Sequence, residues 1–556
     1  MTAPSTACTS STDIAVLGAP SNRWIPGLLL SVLASLLTHG WIAAFDYSAS
    51  TFSDSLDYLM MADFYRAALY GGSLEDAASF YRSTRFPPLF PMLLGVFGGD
   101  SEHQHAASIV SNLIAVLACL LVWVWSHRTS ASTVVATLIT VSTVLLPAWF
   151  TLNLTPVSEP LGLLLATSAF ILLGTQAINA RRVFVAALLV GIAPLARTAL
   201  LPLVIAFAIW LFVVRPVSMR SLVAALVVSW APYASWSVYR SLIGSTQYTH
   251  YLSPKAYADA GIALPQALWE QPLRLVDALV AGWNPWDGGG WILALGWVLL
   301  LLAALGCIAR MRRMQLDAWF LAGYIALILI WPYPKEFTRF LVAVYPCILL
   351  CAATGVQMLV TGPKQPVDAS RSTTLAVGMM MGLALSATVP TLMRYAHRAT
   401  LPVADELLGD KREFEFFNHP TDLDALAAAE ITGRSRLLLI DARQLVPEDA
   451  CIYGVLPQFT RLYSDRTVRP YPLDLYTERG HADEKLSRCD FFVIGSWQFT
   501  LYDLPSFYPA EEFGGWTQPL LASEMEIEGR SHLVAALFRR NVPAEAPAPE
   551  SASEPP

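Results

Sequence analysis

Hydrophobic positions fall into long, nearly uninterrupted runs through the first 395 residues and into short ones after that. The runs lie at about 24–45, 106–126, 133–150, 159–178, 183–196, 199–214, 220–239, 291–309, 317–332, 339–360 and 373–392. Most approach the roughly 20 residues that an α-helix needs to cross a bilayer, so they predict about eleven transmembrane helices. The two runs around Pro194-Leu195-Ala196-Arg197 are short, and read either as a broken pair or as one long bent element. Ahead of the runs, residues 1–22 are polar and rich in Ser and Thr. They read as a disordered tail and lack the basic start of a signal peptide. Past Tyr395 the pattern shortens. The strand-like runs Leu437-Leu438-Leu439-Ile440 and Phe491-Phe492-Val493-Ile494, with turn residues between them, predict a small α/β domain over 396–540. Residues 541–556 are rich in Pro, Ala and Glu and read as a second disordered tail. Residues 23–395 thus form the transmembrane part, with 46–105 as its first large loop.

Composition supports this division. Hydrophobic residues make up 55% of the 556 and charged ones 14%, against about 25% charged in soluble domains. A net charge of -7 gives no reason to invoke nucleic acid. The lipid bilayer is the first partner. His127-Arg128, Arg181-Arg182, Arg215 with Arg220, Arg310-Met311-Arg312-Arg313, and Lys364 with Arg371 fall in alternate loops, which the positive-inside rule makes cytoplasmic. Loops 46–105, 151–158, 240–290 and 332–338 then face outward. The N-terminus is cytoplasmic, and an odd number of spans makes the α/β domain extracytoplasmic. There Cys451 and Cys489 would form a disulfide or remain two free thiols. Cys119, Cys307, Cys347 and Cys351 lie in apolar runs without metal-ligand spacing.

Ionisable residues at the outer ends of the spans carry the candidate chemistry. On a helix Asp54, Asp57, Tyr58 and Met61 share one face. Two close carboxylates separate in pKa and leave one as a base; on spacing alone the favoured reading is that Asp54 as N-cap and Asp57 in the first turn simply start a helix. These readings are compatible, because a capped start also fixes a carboxylate. Arg85-Phe86-Pro87-Pro88 opens a second short apolar segment, since paired prolines suit a first helical turn. Glu159 opens the fourth span. It is either a used or paired carboxylate at the mouth of the bundle, or a helix start with Pro160 in its first turn. Arg197 lies in apolar sequence and wants an anion: a lipid phosphate, a pyrophosphate or Glu159. Lys335 and Arg339 stand four apart around Glu336. They can grip a phosphate from one helix face or snorkel as interfacial anchors. His103 and His105 lack a third metal ligand, and Gly288-Gly289-Gly290 lacks the Lys-Ser/Thr of a phosphate loop. Asn153-Leu154-Thr155 is a glycosylation sequon, relevant only in a secretory pathway.

The order of these residues resembles the GT-C superfamily of integral-membrane glycosyltransferases. The similarity is to the polyprenyl-phosphate-sugar-dependent branch, related to protein mannosyltransferases and to aminoarabinose transferases of lipid A. The matching elements run from Asp54-x-x-x-Tyr58 with Ala62 and Gly71-Gly72, through Arg85-Phe86-Pro87-Pro88-Leu89-Phe90-Pro91 and Asn112, to Ser158-Glu159-Pro160. Pro194-Leu195-Ala196-Arg197-Thr198 follows, then Lys335-Glu336-x-x-Arg339-Phe340 entering a late span through Tyr345-Pro346. The resemblance covers about residues 24–395. It implies a multi-pass protein of the cell (inner) membrane with an extracytoplasmic active site. The enzyme would move a hexose or pentose from a polyprenyl-phosphate-linked sugar to an acceptor glycan, lipid or protein. It also implies catalytic base chemistry at Asp54, with Asp57 as an added acid that leaves the choice open. The donor phosphate would be held by Lys335 and Arg339, with Arg197 and Arg85 as further contacts and Tyr58, Glu159 and Glu336 in support. Metal use varies across the superfamily, so a divalent cation stays an open question. The alternative class is a secondary transporter or flippase of lipid-linked or small polar substrates. It predicts ionisable groups deep in the spans, whereas here they cluster at span ends, Arg197 and the break near Pro194 excepted.

Overall fold

The computed structural model describes residues 24–43, 54–71, 86–130, 132–174, 178–242, 257, 264–286, 289–361, 371–401, 417, 421–454, 457–470, 486–495, 516–527 and 530–541. The terminal stretches 1–22 and 542–556, both read as tails, lie outside them. Each apolar run becomes helix. In chain order the helices are α1 (Trp24–Ala43), α2 (Ser55–Tyr70), α3 (Leu89–Val96), α4 (Gln104–Ser130), α5 (Thr133–Val144), α6 (Pro147–Asn153), α7 (Glu159–Leu173) and α8 (Ala180–Ala196). There follow α9 (Leu201–Val214), α10 (Met219–Leu242), α11 (Leu264–Trp283), α12 (Gly290–Arg312), α13 (Leu316–Leu329), α14 (Phe337–Thr361) and α15 (Arg371–Arg398). Among the described residues six helices are long and apolar enough to cross a membrane, and a seventh span is formed if α5 and α6 are taken together. The protein is a multi-pass membrane protein.

Two breaks refine the sequence reading. The run expected as one span at 133–150 is a pair bent by 54°. Pro147 opens α6 and holds Leu146 in an extended conformation (φ -66°, ψ 121°), as a residue ahead of proline prefers. The ambiguous pair near Pro194 resolves into two helices. Arg197 is extended between them (φ -155°, ψ 120°), a 3-10 turn Thr198–Leu200 follows, and Pro202 sits in the first turn of α9.

Lipid tails are as apolar as leucine, so burial alone does not hold these helices together; close packing and interhelical hydrogen bonds do. A methyl group on Gly306 of α12 would run into the Cys351 carbonyl of α14, and one on Gly355 into the Leu302 carbonyl. The two backbones therefore touch directly. A buried polar chain joins α1, α4 and α6. Trp149 Nε1–H donates to His39 Nε2 at 3.1 Å, so the ring proton sits on Nδ1 and is given to Asn112 Oδ1 at 2.8 Å. The Asn112 amide in turn donates to the Ser108 carbonyl at 3.0 Å.

Past the bundle comes α16 (Asp422–Leu445), then β1 (Cys451–Gly454), α17 (Pro457–Ser464), β2 (Thr467–Pro470), β3 (Phe491–Gly495), β4 (Thr517–Ile527) and β5 (Arg530–Arg540). The sheet order is β2-β1-β3-β5-β4, parallel across the first three strands and antiparallel across the rest. Pro470 and Pro519 stand on the two edge strands, where a missing N–H costs no central ladder bond. Phe491–Ile494 is a strand as expected, but Leu437–Ile440 is not: it lies within α16. Four apolar residues alone do not distinguish strand from helix. The surrounding buried positions Ala425, Ala429, Thr432, Ser435, Leu439 and Ala442 repeat every three or four residues and set the helical period. Cys451 and Cys489 form a disulfide with Cα atoms 5.1 Å apart. The unit is tied to the bundle at the end of α15. There the fully buried Arg398 donates to Asp422 Oδ1 at 2.9 Å and to the Phe417 carbonyl at 2.8 Å.

Candidate active site

Four stretches far apart in sequence meet at one end of the bundle. Asp54 occupies the N-cap position of α2, yet its side chain makes no capping bond. Its Oδ2 instead meets Arg339 Nη2 at 2.7 Å. Arg339 lies in the first turn of α14, aimed by the 3-10 turn Pro334–Glu336. Its Nε donates to Glu159 Oε1 at 2.5 Å. The same carboxylate oxygen accepts from Arg197 Nη1 at 2.6 Å. Glu159, the first residue of α7, is fully buried. It is both the helix start that the sequence allowed and the shared anchor of two arginines. Proline follows at position 160, so this first turn needs no N–H there.

Tyr58 closes the arrangement. It is buried, with its ring edge-on to Phe86 and Phe90 at 5.3 and 5.1 Å. Its hydroxyl shares a 2.9 Å hydrogen bond with Ser158 Oγ. This contact fixes the start of α2 against the start of α7 and so sets where Asp54 points. Glu336 accepts from Trp331 Nε1–H at 2.8 Å; burial pushes its carboxyl up, against the pull of nearby Arg339. Arg197 lies over the Phe340 ring at 5.3 Å, a favourable seat for a guanidinium.

The charged cluster heads a cavity of about 760 Å³. Asp54, Tyr58, Arg197, Glu336 and Arg339 line its polar end. The rest is walled by α9 and α13, through Pro202, Ile205 and Ile209 on one side and Ala322, Ala326 and Leu327 on the other. Ile205 is 50% exposed, so this wall opens to the lipid side. α13 has 14 residues, which at about 1.5 Å each makes a groove on the order of 20 Å long. An amphiphile with an anionic head and an apolar tail fits this division.

The first loop is braced separately. Asp100 accepts from Arg66 Nη1 at 2.5 Å and from the His103 backbone N–H at 2.7 Å. Burial works to raise the Asp100 carboxyl, but these bonds outweigh it and hold it below the usual carboxylate range. Asp63 accepts the Ser101 N–H at 2.9 Å. Burial pushes Asp63 up to about 7, the Ser101 bond opposes this, and the neighbouring Asp100 and Glu102 charges add to it.

No protein-family model matches the chain, and no match is found among curated proteins. Solved structures do match. The crystal structure of ArnT from Cupriavidus metallidurans bound to undecaprenyl phosphate is similar over 93% of this chain and 98% of its own, at 12% identity and a TM-score of 0.51. The chain has the GT-C fold. Two further structures with that fold are similar at lower scores. The Archaeoglobus fulgidus oligosaccharyltransferase, tethered to an acceptor peptide, gives a TM-score of 0.47 at 12% identity, over 93% of this chain and 74% of its own. The arabinofuranosyltransferase AftD from Mycobacteria gives 0.40 at 13%, over 95% and 40%.

Within the GT-C fold the candidates separate. Asp54, Tyr58, Glu159, Arg197, Glu336 and Arg339 come together. Asp57 is not among the residues lining the cavity; its Oδ1 accepts from Gln458 Nε2 of α17 at 3.5 Å, beside the α/β unit. Arg85 and Gly288 lie outside the described residues, and of Lys335 only the backbone turn is described. His103 Nδ1 sits between Arg66 Nη1 at 2.6 Å and Asp100 Oδ1 at 2.8 Å. Among the described residues no three potential ligands form a metal-binding group. Asn153 is buried, with its amide donating to the Trp149 carbonyl at 2.7 Å, so the sequon is inaccessible in the folded chain. Sequence reasoning missed Tyr324 and Tyr233, which line the cavity from α13 and α10. A tyrosine interrupting an apolar run was the available signal.

Proposed function

We propose that the chain is a glycosyltransferase that moves a sugar from a polyprenyl-phosphate carrier to an acceptor on the outer side of the membrane. The observation that carries this reading is the cavity with two arginines and two carboxylates, Asp54 and Glu336, at its head and a lipid-open apolar groove as its body. ArnT, which shares the fold, was crystallised with undecaprenyl phosphate, a ligand of that same division. The positive-inside pattern supports an extracytoplasmic position for the head.

The acceptor hydroxyl or amine attacks the anomeric carbon and forms the new glycosidic bond. The bond from that carbon to the phosphate oxygen breaks, and polyprenyl phosphate leaves with the electron pair. The proton of the acceptor passes to Asp54. Arg339 and Arg197 stabilise the phosphate charge as it develops. The donor's phosphate competes with Asp54 for Arg339, and so frees the carboxylate to act as base. Glu159 and Tyr58 hold the arginines and Asp54 in place. Asp57, turned toward Gln458, fits a role at the acceptor side or in docking the α/β unit.

The test uses purified protein in proteoliposomes with a radiolabelled polyprenyl-phosphate sugar and a membrane extract as acceptor source. Wild type should release polyprenyl phosphate and label an acceptor. Asp54→Asn should lower turnover by about 10²–10⁴-fold, the usual worth of a general base. Arg339→Gln should raise KM for the donor. Equal turnover by Asp54→Asn removes that residue from the chemistry. Movement of intact donor between leaflets without bond cleavage would favour the flippase class.

A further inference from the structure

A second cavity, of about 440 Å³, lies at the opposite end of the bundle. α7 connects the two: it starts at Glu159 in the first site and ends at Leu173, which lines the second. Its 15 residues span on the order of 22 Å. The second cavity is therefore near the other membrane face, the one the basic loops mark as cytoplasmic.

Its lining is mixed. Arg128, Arg310, Arg313 and Asp317 line it together with Trp125, Phe170, Leu173 and Trp210. Arg310 is only 6% exposed. Its Nη2 pairs with Asp317 Oδ2, while its Nε has no hydrogen-bond partner among the described residues. Arg128 and Arg313 are exposed at the rim, and no described carboxylate forms an ion pair with either. The lining thus holds three guanidiniums against one carboxylate, together with aromatic and aliphatic side chains. The left-handed residue Met314 (φ 57°) turns the chain tightly between α12 and α13 and keeps Arg313 at the mouth.

The geometry points to a binding site for the head group of an anionic phospholipid of the cytoplasmic leaflet. The phosphate sits among Arg128, Arg310 and Arg313, and the glycerol and first acyl carbons lie against Trp125, Phe170 and Trp210. Basic pockets between helices on this face suit such head groups. A free phosphate ion would satisfy the arginines but leave the apolar part of a cavity this size unfilled. Nothing in this reading depends on the outer site or its chemistry.

The experiment places the full chain in nanodiscs of equal phosphatidylglycerol and phosphatidylcholine, then extracts it in mild detergent and counts retained lipids by native mass spectrometry. Wild type should retain phosphatidylglycerol over phosphatidylcholine by at least tenfold. The double variant Arg128→Ala/Arg313→Ala, altered only at exposed positions, should lose that preference. Ile178→Trp, which narrows the cavity with every charge kept, should lose it as well; an unchanged thermal transition in each confirms folding. Millimolar inorganic phosphate should not displace the lipid. Equal retention of both lipids by wild type, or undiminished preference in both variants, overturns the site. Displacement by inorganic phosphate at the level of competing phosphatidylglycerol overturns the lipid assignment in favour of a soluble anion.

Discussion

Neutralising Glu159 separates an organised charge cluster from a crowd of independent ion pairs. Glu159→Gln keeps the shape of the side chain. Its oxygen can remain where Oε1 receives Arg197 at 2.6 Å and Arg339 at 2.5 Å. Its nitrogen falls where Oε2 has no hydrogen-bond partner among the described residues. What is lost is the charge, and it is lost at a fully buried position. Removing one partner of a buried pair costs about 3–5 kcal/mol, because the other charge stays behind. Arg339 retains Asp54 at 2.7 Å, which places the expected cost near the lower bound, about 3 kcal/mol. Chaotrope unfolding in mixed micelles, followed by tryptophan emission, reads this value. A cycle with Arg197→Met completes the measurement. Once the guanidinium is gone the Gln substitution should cost less, with a coupling of about 1–3 kcal/mol. Additive effects across the cycle, or a single-variant cost within about 0.5 kcal/mol of zero, would refute the shared-anchor reading.

Three other outcomes are expected. The folded chain holds a proton on Asp63, pushed up to about 7, that the unfolded chain gives up near pH 4, so stability falls as pH rises between those values. Asp63→Asn should flatten that slope and stabilise the first loop at pH 8 relative to wild type, as judged by thermal unfolding at pH 5 and 8; parallel slopes would contradict it. Reducing the Cys451–Cys489 bond, whose partners are 38 residues apart, should cost about 4 kcal/mol on the chain-entropy account, visible as earlier unfolding of the α/β unit in dithiothreitol. Gly306→Ala should force α12 and α14 apart and cost about 1–3 kcal/mol, with Cys351 becoming reactive to thiol reagents; an inert, fully stable variant would deny the close approach.

The spans were legible because hydrophobic length is a direct physical requirement of the bilayer. The helix breaks were less so: Pro147 and Pro194 mark weak points, but whether a chain bends or parts depends on what packs around it. The meeting of Asp54 with Arg339 and of Glu159 with Arg197 was readable as a requirement, since isolated charges at span ends need partners. That one oxygen of Glu159 would serve both arginines was not, because sequence gives no depth for a side chain. Asp54 and Asp57 looked equivalent three residues apart. They diverge because Arg339 takes Asp54 while α17, some 400 residues later, brings Gln458 against Asp57. Leu437–Ile440 misled because four apolar residues carry too little period to choose a helix.

Asp54 and Arg339 are 285 residues apart. A ribosome adding about 5–20 residues per second needs roughly 15–60 s to travel between them. Glu159 meets Arg197 early and can enter the bilayer accompanied, whereas Asp54 must wait at the surface for the helix that begins at Phe337. Insertion of that late helix is therefore the event that completes the charged end of the cavity of about 760 Å³. A nascent chain arrested before it would carry a paired first half and an incomplete pocket, and would be a natural substrate for membrane quality control.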